Sequence, residues 1–104
     1  MSEMVTSADF ASKVLEASKS KPVLVDFFAT WCGPCRAMAP ALEEVAAENA
    51  DAVDVYKLDI DQSPDMAREY RVFSVPTLIL FKDGAPARQV VGAQPKDRLE
   101  AFIR

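Results

Sequence analysis

Two periods of apolar residues alternate along this chain. Phe10, Val14 and Leu15 recur at helical spacing behind Thr6 and Ser7, which offer an N-cap, so an amphipathic first helix is predicted. Lys21-Pro22 breaks it. Val23-Leu24-Val25-Asp26-Phe27-Phe28 then runs almost continuously apolar, the pattern of a buried strand in a largely parallel sheet. A second helix is predicted from Cys32 or Pro34 to Asn49, with Met38, Leu42, Val45 and Ala46 on one face and Glu43, Glu44 and Glu48 on another. Pro40 lies inside it. The apolar period continues beyond, so a kink is expected and not an end. Val53 to Ile60 is a second β-branched run. Ser63 and Pro64 open a short helix, with Ser63 at the N-cap, that closes near Tyr70. Thr77 to Phe81 is a third strand, and Asp83-Gly84 turns it into a fourth, Arg88 to Val91, which Gly92 breaks. Pro95 to Arg104 reads as a closing helix with Leu99, Phe102 and Ile103 facing in, and Glu3 to Val5 as a candidate edge strand.

Strands separated by helices require right-handed crossovers and parallel pairing, whereas Asp83-Gly84 makes the last pair antiparallel. The expected fold is therefore α/β, a central mixed β-sheet flanked by helices on both faces, in a single domain over residues 1–104. The second helix starts at the carboxyl edge of the first strong strand, where open α/β sheets place their sites.

Composition narrows the chemistry. The chain has 104 residues, half of them hydrophobic, which suffices for a core without metals or staples. A net charge of −4 and no basic stripe give no reason to expect nucleic acid. No apolar run approaches the ~20 residues that span a bilayer. Met1-Ser2-Glu3-Met4 has neither a basic n-region nor an apolar h-region, so a reducing cytoplasm is the expected location.

There are two cysteines and no histidine. Cys32 and Cys35 are three apart, and a bridge across so short a loop stabilises little, roughly 2 kcal/mol by loop entropy. As a staple the pair is badly placed; as a redox pair it is well placed. Cys32 falls where a strand turns into a helix, where unpaired N–H groups and the positive end of the helix dipole favour a thiolate, the form that attacks disulfides. Cys35, on the same face, can reach it. Cys32 is expected to be the exposed attacking sulfur and Cys35 the more buried resolving one. Pro34 fixes a helical φ and Gly33 leaves the approach open. Neither adds positive charge, which points to a reductant and not an oxidant. Half a zinc site and two core thiols are the bland alternatives. Two good ligands fall short of the three or four that zinc takes, so no metal is expected.

From Val25 to Cys35, through Asp26, Phe27-Phe28-Ala29-Thr30 and Trp31-Cys32-Gly33-Pro34-Cys35, the chain resembles the active-site strand and turn of the thioredoxin family. Pro40, Lys57-Leu58-Asp59-Ile60-Asp61, Val75-Pro76-Thr77, Phe81-Lys82-Asp83-Gly84 and Val91-Gly92-Ala93 fit in order and spacing, so the resemblance covers essentially the whole chain. It implies a thioredoxin fold and a thiol–disulfide oxidoreductase that reduces disulfides in protein substrates. Cys32 would form the mixed disulfide and Cys35 would resolve it. Electrons would come from NADPH through thioredoxin reductase, with no bound cofactor beyond the redox-active Cys32–Cys35 disulfide, and the protein would act as a monomer. Pro76 would be cis beside the cysteines. Trp31, Ile60, Val75, Pro76, Gly92 and Ala93 would form the substrate-docking surface, although Ile60 reads equally well as plain core. The chain departs from many relatives at Phe28, where a second tryptophan is common.

Asp26 is a carboxylate inside an apolar run. It is either an edge-strand residue facing water or a buried acid whose pKa burial raises, able to take a proton from Cys35 and return it. Lys57 interrupts its own apolar segment in the same way, and the resemblance places it near Asp26. A different class of function stays open beside the redox one: a binding subunit or folding clamp that uses the same apolar surface and not the cysteines.

Overall fold

The computed structural model describes residues 2–104. Its centre is a five-stranded mixed sheet in the order β1-β3-β2-β4-β5, with β1 Glu3–Met4, β2 Val23–Phe28, β3 Asp54–Asp59, β4 Thr77–Lys82 and β5 Ala85–Val91. β1, β3 and β2 are parallel; β4 and β5 run antiparallel to their neighbours. Helix α1 spans Gly33–Glu48, α2 Pro64–Glu69 and α3 Lys96–Phe102. This is the α/β arrangement expected from the alternating periods.

Alternation along β2 sorts its side chains to two cores. Val23, Val25 and Phe27 pack with Phe10, Val14, Leu58, Ile79 and Phe81 on the face covered by α2 and the N-terminal helix. Leu24 packs with Met38, Leu42, Val45, Leu78, Leu80 and Leu99 beneath α1 and α3. β2 is central, with β3 on one side and β4 on the other. That position removes the edge-strand reading of Asp26, which is only 1% exposed.

Two local expectations are corrected and a third is refined. The first helix is a π-helix over Ala11–Glu16 followed by a 3₁₀ turn over Ala17–Lys19. The Ala17 N–H reaches back to the Ser12 carbonyl, five residues away. Over six residues, the apolar spacing of this wider helix cannot be told from that of an α-helix, and Val14 is buried in either. Its N-cap is Phe10, with no side-chain cap bond, and not Thr6 or Ser7; in the turn before it the Asp9 carboxylate accepts the Thr6 N–H at 2.8 Å. Ser63 does stand at the N-cap of α2, but its hydroxyl makes no cap bond. Instead it accepts the Ser7 N–H at 3.1 Å, tying the N-terminal segment to α2. β5 begins at Ala85, three residues before the expected start at Arg88, because pairing with β4 and not burial defines it. The hairpin turn has Asp83 and Gly84 both at positive φ, 53° and 83°, which Asp-Gly accommodates.

Candidate active site

The first helical turn of α1 builds the site around one sulfur. Cys32 is the N-cap of α1 in extended conformation, and its Sγ accepts the N–H of Cys35 at 3.1 Å. A sulfur thus takes the place that a serine or aspartate oxygen takes at most helix starts. The same N–H, with the dipole behind it, stabilises negative charge on that sulfur. Gly33 and Pro34 fill the first two helical positions, and a Cβ at Gly33 would come no closer than 4.0 Å to Arg36 Nη2. Pro34 lacks an N–H where the helix has no use for one. The helix runs on through Pro40 to Glu48.

Cys32 and Cys35 are joined in a disulfide, their Cα atoms 5.3 Å apart. The expected asymmetry of exposure is absent: Cys32 is 4% exposed and Cys35 3%. In the bonded pair both sulfurs sit in a small cluster with Ala29, onto which Phe28, Ile60 and Val75 pack. Position on the helix, and not exposure, separates the two cysteines.

Two other segments meet this sulfur. The Val75–Pro76 peptide bond is cis, and the Val75 carbonyl oxygen lies 3.7 Å from Cys32 Sγ. Gly92, at φ 97°, donates its N–H to the Pro76 carbonyl at 2.8 Å, which brings Gly92-Ala93 alongside. Trp31 is 65% exposed beside the cysteines. Ile60 is half-buried and touches both the cysteine cluster and the main core, so its two readings coexist in one side chain. The structure thus gathers Trp31, Ile60, Val75, Pro76 and Gly92 around Cys32, with Ala93 next in the chain.

Asp26 and Lys57 lie deeper, in register across the β2–β3 ladder. Asp26 follows Leu24 on the face covered by α1, and neither of its carboxylate oxygens has a hydrogen-bond partner. Burial pushes its pKa up from 3.8 to about 6, and the Lys57 charge pulls the other way. The Lys57 ammonium rests over the Phe28 ring, 4.5 Å from its centroid. A cleft of about 300 Å³ opens here, lined by Phe28, Cys35, Arg36, Ala39 and Lys57.

Two contacts at the site carry no signature in the sequence. The Trp31 indole N–H donates to Asp61 Oδ2 at 2.9 Å, and Arg36 donates to the Thr30 carbonyl at 2.8 Å. Each links residues whose side-chain geometry depends on the assembled loop, although Asp61 stands in the same segment as Ile60. Among the described residues, no group of three or more His, Cys, Asp or Glu side chains is placed to hold a metal, and no helix is long and apolar enough to cross a membrane.

Comparison with known proteins agrees with this geometry. Residues 1–104 match the family model described as Thioredoxin. The chain is 58% identical over 95 residues to a thioredoxin of Mycobacterium tuberculosis, covering 91% of this chain and 80% of that one. It is 56% identical over 99 residues to a thioredoxin of Staphylococcus aureus, covering 95% and 91%. It is 55% identical over 95 residues to a bifunctional thioredoxin reductase/thioredoxin of Mycobacterium leprae, covering 91% of this chain and 20% of that longer protein.

Proposed function

We propose, from the premise that this chain belongs to the thioredoxin family and is a protein-disulfide oxidoreductase with a redox-active Cys32–Cys35 disulfide, that its residues divide the reaction as follows. In the dithiol form, the Cys32 thiolate attacks one sulfur of a substrate disulfide. The substrate S–S bond breaks, a mixed disulfide forms on Cys32, and one substrate sulfur leaves as a thiolate that takes up a proton. Cys35 then loses its proton and attacks Cys32 Sγ. The second substrate sulfur leaves, and the Cys32–Cys35 bond forms. Two electrons have moved from the protein to the substrate, and the disulfide form is the state of the present structure.

Asp26 is the acceptor for the Cys35 proton. Its carboxyl, held near pKa 6 by burial, is largely ionised at neutral pH yet basic enough to take a proton. Lys57, in register beside it, biases that charge. Trp31, Ile60, Val75, Pro76, Gly92 and Ala93 form the docking surface. Gly33 and Pro34 hold the first helical turn open and in place. The Val75 backbone pairs with an extended stretch of substrate in the manner of an added strand.

The disulfide is returned to dithiol by a flavoprotein thioredoxin reductase that draws on NADPH. Support comes from the M. leprae relative, whose name joins the two activities in one chain. We place the protein in a reducing cytoplasm, acting as a monomer and a single domain.

The observation that carries this reading is the Cys32 sulfur at the N-cap of α1, bonded to Cys35. Insulin-disulfide reduction with dithiothreitol tests it. Wild type accelerates the reaction, and Cys32→Ser falls to the dithiothreitol background. Cys35→Ser still attacks and accumulates a mixed disulfide with its partner. Equal rates for wild type and Cys32→Ser would remove the assignment.

A further inference from the structure

Large apolar side chains left in water are unevenly distributed over this molecule. Of the four strongly exposed ones among the described residues, Met4 lies on the β1 edge. The other three are Trp31, 65% exposed, Phe73, 89%, and Val91, 55%. Each belongs to a different one of the three segments that meet at Cys32. Trp31 precedes it, Phe73 is two residues before the Val75 carbonyl that lies 3.7 Å from its sulfur, and Val91 precedes the Gly92 bonded to Pro76. Isolated exposed hydrophobics are ordinary, but these three each fall within two residues of a backbone group or sulfur that assembles the site.

Phe73 is the least expected of the three. It is not a loosely held loop residue. Its neighbour Val72 is buried in the core and donates its N–H to the Ala67 carbonyl at 2.8 Å. On the other side the Ser74 carbonyl accepts the Thr77 hydroxyl at 2.7 Å. A backbone pinned on both sides presents a nearly fully exposed phenyl ring. An aromatic ring displayed from an ordered backbone binds with little further loss of freedom, which is what an interface anchor requires.

We propose that Phe73 is a binding residue for disulfide-bearing protein partners, inserting into an apolar recess beside the partner's reacting disulfide and so favouring protein substrates over small disulfides. The proposal rests on the docking surface assigned above and extends it by a side chain outside that set. Continuity with the surface around Cys32 commits the occupant to a partner in the act of exchange. Such a partner reaches two residues beyond Val75, whereas a small disulfide that contacts Cys32 alone does not. No chemical step changes.

Steady-state reduction of insulin and of 5,5′-dithiobis(2-nitrobenzoic acid) by the full chain tests this, with wild type, Phe73→Ala and Phe73→Leu. For Phe73→Ala, KM for insulin is expected to rise about tenfold with kcat unchanged, equivalent to about 1.4 kcal/mol of binding. The rate with the small disulfide stays within twofold of wild type, and Phe73→Leu recovers most of the insulin KM. An insulin KM within twofold of wild type would overturn the proposal, as would equal losses on both substrates. Sedimentation of the wild type showing a dimer that Phe73→Ala dissociates would also overturn it, by assigning the ring to a second copy. Failure of the redox reading looks different: wild type would reduce neither substrate.

Discussion

Asp26 and Lys57 stand in direct register on neighbouring parallel strands, yet the ammonium rests over the Phe28 ring and the carboxylate keeps no hydrogen-bond partner. A carboxylate buried beneath α1 without a bonded partner is poorly solvated, so its proton is held more tightly than in water. The Lys57 charge offsets only part of that, because burial is the larger influence and the net shift is upward to about 6. The strand therefore carries a carboxyl whose titration is moved toward neutrality at the expense of fold stability.

That expense has a definite pH dependence. Below the unfolded value of 3.8, both states hold the proton and burial adds no charge penalty. Between 3.8 and about 6 the unfolded chain releases the proton while the folded one keeps it, so stability falls as pH rises. Above about 6 the penalty levels off at about 3 kcal/mol. Asp26→Ala removes it. Its unfolding free energy is expected to exceed that of wild type by about 2 kcal/mol at pH 7.5, allowing for a small cavity, and to match or fall below it at pH 3.5. Urea titrations at the two pH values check this, and a variant less stable than wild type at pH 7.5 would contradict it. Turnover of Asp26→Ala near neutrality slows modestly, since a proton acceptor and not the nucleophile has been lost.

Lys57→Met separates the two influences on Asp26. With the lysine charge gone only burial remains, so the Asp26 titration moves above about 6. The decline of stability with pH then extends further toward alkaline conditions. Less Asp26 is ionised at pH 7, so disulfide reduction slows there and recovers as the pH is raised. Following the Asp26 carboxyl carbon by NMR across pH gives the midpoint directly. A midpoint unchanged or lowered in the variant would show that the ammonium over Phe28 does not act on the carboxylate.

Most of this architecture is legible in the sequence because local and global signals agree. The β-branched strand runs, Ser63-Pro64 and Asp83-Gly84 each specify one local geometry, and the apolar faces of Leu24, Leu42 and Leu99 meet in one core. The cysteines are legible because few structural roles suit two thiols three residues apart. What escapes depends on the third dimension. A π-helix over Ala11–Glu16 and an α-helix share an apolar pattern over so short a span. The equal burial of Cys32 and Cys35 follows from Phe28, Ile60 and Val75 arriving from separate elements. The Asp26 alternatives divided on strand order, and only the central place of β2 decides between them.

Trp31 is the sole tryptophan of the chain, so its emission reports on one bond without interference. Its indole N–H donates to Asp61 Oδ2 while most of the ring lies in solvent. Asp61→Ala removes the acceptor and frees the ring to reorient. Steady-state anisotropy of Trp31 is expected to fall, with stability changed by less than about 0.5 kcal/mol because the contact is exposed. Affinity for protein disulfides weakens slightly through loss of a pre-set ring. Unchanged anisotropy would mean that packing alone orients the indole.

Pro34 occupies the first turn of α1, between the two cysteines and without charge or N–H. The Cys32 sulfur stands at the helix terminus and accepts the Cys35 amide N–H, the two features that would stabilise its thiolate in the dithiol form. Pro34→His adds a donor that is partly protonated near neutrality, close to that thiolate. Stabilising the reduced form makes the protein a stronger oxidant, so its reduction potential rises. For a two-electron couple each 1.4 kcal/mol is about 30 mV, and one charged neighbour is expected to shift the potential by that order. The shift grows as the pH falls below about 6.5, where most of the imidazole becomes charged. Equilibration with glutathione at pH 6 and pH 8 measures both effects. A potential equal to wild type at pH 6 would mean that charge at this turn does not reach the Cys32 sulfur, and that the helix start alone sets its acidity.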